Sequence, residues 1–138
     1  MSTDGNIEIV RSCYEMFRKG DAAGILTALS DDVDWGVETT TNVAPWYGLR
    51  RGKTEVGAFF QAFGATMDVE DFTPLVYAAS GDDVLTVVRC HARHRASGRA
   101  VRMNLHHHFT LRYGLIVHYR GTEDTAQVAA AIQSPAQF

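Results

Sequence analysis

Several features that mark particular protein classes are scarce or missing in this sequence. Cys13 and Cys90 are its only cysteines, too few for the disulfide framework of a small secreted domain. No apolar run approaches the roughly 20 residues of a membrane span, and residues 1–20 carry dispersed charges instead of the apolar core of a signal peptide. We therefore expect a protein of a reducing, cytoplasmic compartment with no membrane partner.

An excess of positive charge is also missing. The chain has 13 Lys and Arg against 16 Asp and Glu, a formal net charge of -3, so its overall field does not attract a phosphate backbone. Five arginines do cluster between residues 89 and 102, but no aromatic residues alternate with them as base stacking would need. We expect no nucleic-acid partner, and we interpret the arginines as a solvated or subunit-facing sheet surface.

No Ser-, Pro- or Gln-rich tract, linker or internal repeat interrupts the chain. Its 138 residues, 46% of them hydrophobic, suffice to bury roughly two-thirds of the unfolded surface in one core. Residues 1–138 are therefore expected to form a single domain, with residues 134–138 as a loose tail.

The first third of the sequence has helical periodicity. Apolar residues recur at helical spacing at Ile7, Val10, Tyr14 and Phe17. Asp4 or Asn6 is available to cap this helix and Gly20 to end it. Asp21 can cap a second, shorter helix, and the alternation over residues 33–37 then predicts a strand.

Residues 39–52 have the composition of a loop, yet they contain Trp46 and Tyr47. Large aromatic residues in a loop beside a sheet suggest a lid over an apolar ligand. A third helix is predicted from Lys53, because its apolar residues form a stripe wide enough to lie across a sheet: Val56, Phe59, Phe60, Phe63 and Met67.

Residues 69–122 read as strands joined by tight turns, which predicts an antiparallel meander. The spacing of Val128 and Ile132 among alanines predicts a short C-terminal helix over residues 123–133, with Thr122 as its cap. The order of elements indicates an α+β fold: a curved antiparallel sheet wrapped around three N-terminal helices into a cone-shaped barrel, with a ligand pocket in its concave mouth.

Strand alternation places His107 on the apolar face of its strand. A two-residue turn at Ser97-Gly98 would set Val88 opposite His107. Burial disfavours the charged imidazole, which keeps it neutral and able to exchange a proton. Either His107 is a catalytic group in a pocket, or it is a core histidine with a Tyr or backbone partner.

The run His106-His107-His108 does not predict a metal site. Adjacent strand residues point to opposite faces, so the three imidazoles cannot bind one ion, and Arg102 and Arg112 share the face of His106 and His108. We expect neither a metal nor another cofactor. The candidate ligand-binding residues are mostly aromatic residues that serve either as pocket walls or as core: Trp35, Trp46, Tyr47, Phe59, Phe63, His94 and Tyr119.

Five segments together resemble the SnoaL-like and ketosteroid isomerase-like branch of the nuclear transport factor 2-like superfamily. They are residues 14–21, 30–35, 45–52, 107–109 and 119–124, and the resemblance covers nearly the whole chain. It implies the α+β fold above and a hydrophobic carbonyl, polyketide-like or steroid-like substrate. The branch also contains non-catalytic binders, so the resemblance leaves the reaction open.

Compared with steroid isomerases, the resemblance puts His107 where a carboxylic acid hydrogen-bonds the developing enolate, and it puts Tyr14 near their helical tyrosine. The position of their general base falls on Val37, with Glu38 adjacent but on the other face unless a bulge turns it. Compared with polyketide cyclases, the acid/base position falls on Gly121. Asp124 matches a recurrent acidic position and is the alternative to Glu38 as a base.

Two functions follow as hypotheses. The first is a cofactor-independent isomerase, cyclase or lyase whose catalytic residues are His107, Tyr14, Asp124 and Glu38. The second is a non-catalytic small-molecule binder or accessory protein of the same fold. For both we expect a homodimer formed through the outer sheet face.

Overall fold

Four helices and six strands make up the computed structural model, which describes residues 2–133. In chain order they are α1 (Thr3–Arg18), α2 (Ala22–Thr27), β1 (Leu29–Val37), β2 (Gly48–Arg51), α3 (Gly52–Thr66), β3 (Met67–Ser80), β4 (Asp83–His94), β5 (Ala100–Arg112), β6 (Leu115–Thr122) and α4 (Thr125–Gln133). The expected α+β fold, with three N-terminal helices and a short C-terminal one, is confirmed. The expected tail, residues 134–138, lies outside the described residues.

The six strands form one sheet in the order β2-β1-β6-β5-β4-β3. The meander from β3 to β6 is antiparallel as expected, but β1 pairs with β6 in parallel, so the sheet is mixed. It is curved without closing into a barrel, and β2 and β3 are its edges in residues 2–133. Two bulges in β3 add to the curvature, and Pro74 is tolerated there because β3 is an edge strand.

The caps of the helices are only partly as expected. Ser2 caps α1 by accepting a hydrogen bond from the Gly5 amide, whereas Asn6, one of the two predicted caps, is fully buried inside the helix. Asp21 caps α2 as predicted. For α4 the cap is Asp124, which accepts from the Gln127 amide at 3.1 Å, rather than Thr122.

The loop predicted over residues 39–52 ends in a short strand. β2 pairs with the end of β1, from Asp34 opposite Arg51 to Val37 opposite Gly48. Four residues of mixed polarity carry too little alternation to be recognised as a strand, and their pairing with β1 makes them one.

The register between β4 and β5 differs from the predicted one by two residues. His107 lies opposite Thr86, and Val88 lies opposite Leu105. The prediction was wrong because the loop between β4 and β5 is longer than two residues. Ser97 in this loop is buried and donates a hydrogen bond to the carbonyl of Ala131 in α4. An even shift preserves the faces, so His107 still points inward.

The helices pack against the concave face of the sheet. The buried side of α1 carries Val10, Cys13 and Tyr14, and that of α3 carries Val56 and Phe59. None of the helices within residues 2–133 is long and apolar enough to cross a membrane. The concave side is therefore the core, and any enclosed site lies between these helices and the sheet.

Replacing Asp21 with Ala should lower the free energy of unfolding by about 1 kcal/mol, because the Gly24 amide, now 2.8 Å from Asp21 Oδ1, loses its acceptor. Urea denaturation measures the change. Asp32→Ala is the matched control, since that side chain is exposed in β1 and should cost less than about 0.5 kcal/mol. Equal losses in the two variants would contradict the capping role.

Candidate functional site

A small cavity of about 80 Å³ lies between the helices and the inward side chains of β1, β5 and β6. We call it the inner cavity. Most of its wall is aromatic, and its titratable lining groups include His107, Tyr14 and Glu123. Five of the expected ligand-binding residues line it, namely Trp35, Trp46, Phe59, Phe63 and Tyr119.

His107 occupies the inward face of β5, as the alternation predicted, and is 8% exposed. Its Nδ1 atom lies 2.6 Å from the hydroxyl of Tyr14 on α1. Burial lowers the pKa of His107 from the ordinary 6.5 to about 3, with a smaller contribution from the neighbouring charge of His106. The imidazole is therefore neutral at physiological pH, as expected.

Tyr14 connects His107 on β5 to the neighbouring strand β4. Its hydroxyl lies 2.5 Å from Thr86 Oγ1 on β4, so three buried side chains form one hydrogen-bond chain. Burial raises the pKa of Tyr14, and the hydrogen bond with Thr86 opposes that rise only in part. Tyr14 stays protonated, which makes it a hydrogen-bonding group and not a base.

Glu123 is the carboxylate in the lining of the inner cavity. Trp46 Nε1 donates to Oε1 at 3.4 Å, and the Tyr47 hydroxyl donates to Oε2 at 3.0 Å. Burial raises the pKa of Glu123, and the two hydrogen bonds counteract part of this effect. The result is a carboxyl group that titrates closer to neutral pH than an exposed glutamate does.

Trp46 and Tyr47, expected to form a lid, are instead 1% and 8% exposed. Their polar atoms face Glu123 and hold it in place from the loop side. Trp46 also packs edge-on against Phe63, with ring centroids 5.0 Å apart. Both residues are thus part of the core, and their direct role is to position Glu123.

Neither Glu38 nor Asp124, the two expected bases, lines the inner cavity. Glu38 is exposed after the end of β1 and lines a groove on the outer sheet face. Its amide donates to the Gly121 carbonyl, which continues the strand pairing without a bulge to turn the side chain inward. Asp124 is exposed at the start of α4, where its hydrogen bonds to Gln127 lower its pKa.

His94 is buried but does not line the inner cavity. Its Nδ1 atom lies 2.9 Å from Ser97 Oγ, in the wide loop between β4 and β5. It stabilises that loop, and the Ser97 hydroxyl in turn donates to the Ala131 carbonyl in α4. The expectation that His94 contacts a ligand has no support in this placement.

Two members of the site were missed by the sequence analysis, Glu123 and Thr86. Glu123 continues the inward alternation of Tyr119 and Gly121, so the period of two in β6 could have identified it. Thr86 was missed because the predicted register set Val88, and not Thr86, opposite His107.

The outer sheet face contains the other histidines of β5 and β6. His108 Nε2 lies 2.9 Å from Asp83 Oδ1, and both oxygens of Asp34 accept from Arg120 at 3.0 Å. Among residues 2–133, no group of three or more His, Cys, Asp or Glu side chains is arranged to hold a metal ion. The homodimer expected through this face stays a prediction.

Comparison with known proteins relates the chain to one family. The SnoaL-like domain model matches residues 10–119. The fold is similar to that of an NTF2-like protein of Burkholderia xenovorans LB400, with 25% sequence identity over 96% of this chain and 99% of the other and a TM-score of 0.85. It is also similar to that of an NTF2-like protein of Burkholderia pseudomallei K96243, with 25% identity over 97% of this chain and 100% of the other and a TM-score of 0.87.

A protein of Mesorhizobium loti, provisionally named a SnoaL-like polyketide cyclase, shares the fold at 20% identity over 83% of this chain and 96% of its own, with a TM-score of 0.69. No curated protein matches the sequence. The family match therefore includes most of α1 and most of β6, and it ends four residues before Glu123.

Burial of His107 should make stability depend on pH. The pKa of His107 is lower in the folded chain than in the unfolded one, so the unfolded chain binds more protons as the pH falls below 6.5, and the folded state loses stability. From pH 8 to pH 5 this contributes a loss of about 2 kcal/mol, which His107→Gln should remove. Urea denaturation at the two pH values measures it.

His106→Gln is the control for this prediction, because His106 is exposed on the outer face and is only the smaller cause of the shift. It should keep nearly all of the pH-dependent loss. A wild-type protein whose stability changes between pH 8 and 5 no more than that of His107→Gln would contradict the buried, neutral imidazole.

Replacing Tyr47 with Phe should raise the pKa of Glu123 further, because the carboxylate loses the hydrogen bond to Oε2. Titration of the Glu123 carboxyl carbon by NMR measures this shift. Tyr113→Phe, at a side chain that is 98% exposed, should leave that pKa unchanged. A lower pKa in Tyr47→Phe would mean that the hydroxyl does not stabilise the ionised form.

Proposed function

This chain belongs to the SnoaL-like domain family of the nuclear transport factor 2-like superfamily, and from that premise we propose that it is a cofactor-independent isomerase or cyclase acting on a hydrophobic carbonyl compound. One observation carries the proposal: a neutral histidine, hydrogen-bonded to a tyrosine, lines the same cavity as a half-buried carboxylic acid. The cyclase name of the Mesorhizobium loti relative is in keeping with this chemistry.

Glu123 is the general base of the proposed reaction. Its carboxylate takes a proton from the carbon next to the substrate carbonyl, and the electron pair moves onto the carbonyl oxygen to form an enolate. The protonated Glu123 then returns the proton to another carbon in an isomerisation. In a cyclisation the enolate carbon instead attacks a second carbonyl, and the alkoxide that this forms takes the proton back from Glu123. Because burial raises its pKa, Glu123 is a stronger base than an exposed glutamate.

His107 is the proposed donor to the enolate oxygen. If Thr86 donates to the Tyr14 oxygen and Tyr14 donates to Nδ1, then both buried hydroxyl hydrogens have acceptors and the imidazole carries its proton on Nε2. The opposite direction would leave the Thr86 hydroxyl hydrogen without an acceptor in the described residues, which burial penalises. The favoured direction makes Nε2–H the group that can donate to a ligand.

A neutral donor suits this position. An imidazolium at this apolar site would need to be stabilised against burial, which lowers the pKa of His107 to about 3. A neutral imidazole that is already oriented by Tyr14 can donate its Nε2–H to the developing charge without first gaining a proton. Tyr14 is thereby a positioning residue, since it fixes the imidazole without contacting the reacting atoms.

Non-catalytic binding remains the second candidate, because both oxygens of Glu123 already accept hydrogen bonds from Trp46 and Tyr47. That arrangement also fits a carboxylate that only fixes the loop to β6. The volume of about 80 Å³ is likewise below the roughly 300–1,000 Å³ of most ligand sites. Exchange of substrate hydrogens with solvent distinguishes the two functions.

Exchange of the α-hydrogens of cyclohexanone with deuterated water, followed by proton NMR, is the test. The protein should accelerate the exchange, with a rate that rises with pH as Glu123 ionises and then levels off. Glu123→Gln should abolish the acceleration, and His107→Gln should reduce it roughly 100-fold or more. Because the pKa of His107 is about 3, its ionisation should produce no further change between pH 5 and 9.

Glu38→Gln is the matched control, a carboxylate on the outer face that should leave the exchange rate unchanged. Binding of cyclohexanone without accelerated exchange at any pH would refute the enzymatic function and favour the binder. Loss of the exchange in Glu38→Gln but not in Glu123→Gln would refute the assignment of the base.

A further inference from the structure

A second, larger cavity adjoins the inner one. It has a volume of about 510 Å³ and lies where the end of α1, α3 and β3 meet; we call it the outer cavity. Four phenylalanines line both cavities: Phe17, Phe60, Phe63 and Phe72. The two spaces are therefore separated by a thin aromatic wall.

Phe17 is the centre of that wall. Its ring centroid lies 4.5 Å from that of Phe72, 6.0 Å from that of Phe63 and 6.2 Å from that of Phe60. Phe17 is also only partly buried, in the last turn of α1 and followed by Gly20 with a φ of 74°. Rotation of this one side chain would join the inner cavity, which is too small for most ligands, to a space of ordinary ligand size.

The acidic residues that line the outer cavity form ion pairs, whereas its arginines form none with the described part of the chain. Asp71 accepts a hydrogen bond from Arg89 Nε at 2.7 Å, and Glu70 lies 3.9 Å from Arg93 Nε. Those two arginines do not line the cavity. Each acidic group therefore has an arginine partner that lies outside the lining of the cavity.

The two arginines of the outer cavity lack such partners. Arg95 Nε donates to the Gly64 carbonyl at 3.0 Å, and neither Arg95 nor Arg18 forms an ion pair with a residue in the range 2–133. Arg18 does offset the dipole of α1 from its last turn, but this leaves its N–H groups available. The outer cavity therefore presents positive charge beside an aromatic wall.

We propose that the two cavities form one site for a cyclic organic acid, whose apolar ring passes Phe17 into the inner cavity while its carboxylate is held by Arg18 and Arg95. Arginine is suited to this role because its planar N–H groups match a carboxylate. The reaction of the ring rests on the proposed function; the recognition of the carboxylate does not. The substrate class is thereby narrowed to carbonyl compounds that carry an acid group.

Binding of 2-naphthylacetate and of its neutral amide tests the proposal through tryptophan fluorescence. The only two tryptophans, Trp35 and Trp46, line the inner cavity and not the outer one, so quenching reports a ring that has passed Phe17. The acid should bind at least roughly fivefold more tightly than the amide, and added salt should reduce that ratio. At saturation both probes should quench to the same extent.

Arg18→Gln and Arg95→Gln should each weaken binding of the acid severalfold and leave that of the amide unchanged, and the double variant should remove the preference. The control is Arg112→Gln, which replaces the exposed last residue of β5 and should keep the preference for the acid. Equal binding of acid and amide by the wild type, or equal losses for both probes in the variants, would overturn the proposal. So would acid binding without quenching, which places the probe in the outer cavity alone.

These outcomes are separable from those of the proposed function. His107→Gln should lose the exchange of cyclohexanone hydrogens and keep the preference for acid over amide. If the protein does not accelerate exchange but prefers the acid, the recognition of the acid is supported and the catalytic function is refuted. If the protein accelerates exchange but does not prefer the acid, the catalytic function is supported and the recognition of the acid is refuted.

Discussion

The hydroxyl of Tyr14 is the contact on which the arrangement of the site depends. It is the middle member of a buried chain that joins Thr86 on β4, Tyr14 on α1 and His107 on β5. Removing one partner of a buried hydrogen bond leaves the other unsatisfied, at a cost of about 1–3 kcal/mol. These hydrogen bonds therefore hold α1 against the concave face of the sheet, and they also fix the orientation of the His107 ring.

Two other features follow from the position of α1. Phe17 comes three residues after Tyr14, on the same side of the helix, so the contact that holds Tyr14 also places Phe17 between the cavities. Gly121 lies opposite His107 on β6, where an added Cβ would lie 2.5 Å from the Tyr119 hydroxyl and 3.2 Å from His107 Cδ2. The absence of a side chain at residue 121 makes room for both rings.

Local periodicity was enough to predict most of the fold. The alternation in β5 placed His107 on the inward face correctly, since a period of two does not depend on which residues pair. The neighbours of His107 could not be obtained in this way, because the register depends on the loop. Ser97 is held by Ala131, 34 residues away in sequence, and no local pattern contains that contact.

The site was less predictable than the fold, for a similar reason. Trp46 and Tyr47 looked like lid residues because loop aromatics are usually exposed, but their partner Glu123 is 76 or more residues away. Glu123 itself was within reach of sequence reasoning, because it follows Tyr119 and Gly121 at inward spacing. Family resemblance pointed instead to the acidic position at Asp124, which in the structure caps α4.

The distribution of charge favours dividing recognition from chemistry between the two cavities. A cation in the inner cavity would have to be paired, since desolvation of an unpaired charge costs several kcal/mol, and burial indeed leaves His107 neutral. Arg18 and Arg95 are exposed in the outer cavity, so they avoid that cost and can still attract an anion. In the proposed arrangement, arginines select the ligand at the surface, whereas the neutral His107 and the half-buried Glu123 act on it in the inner cavity.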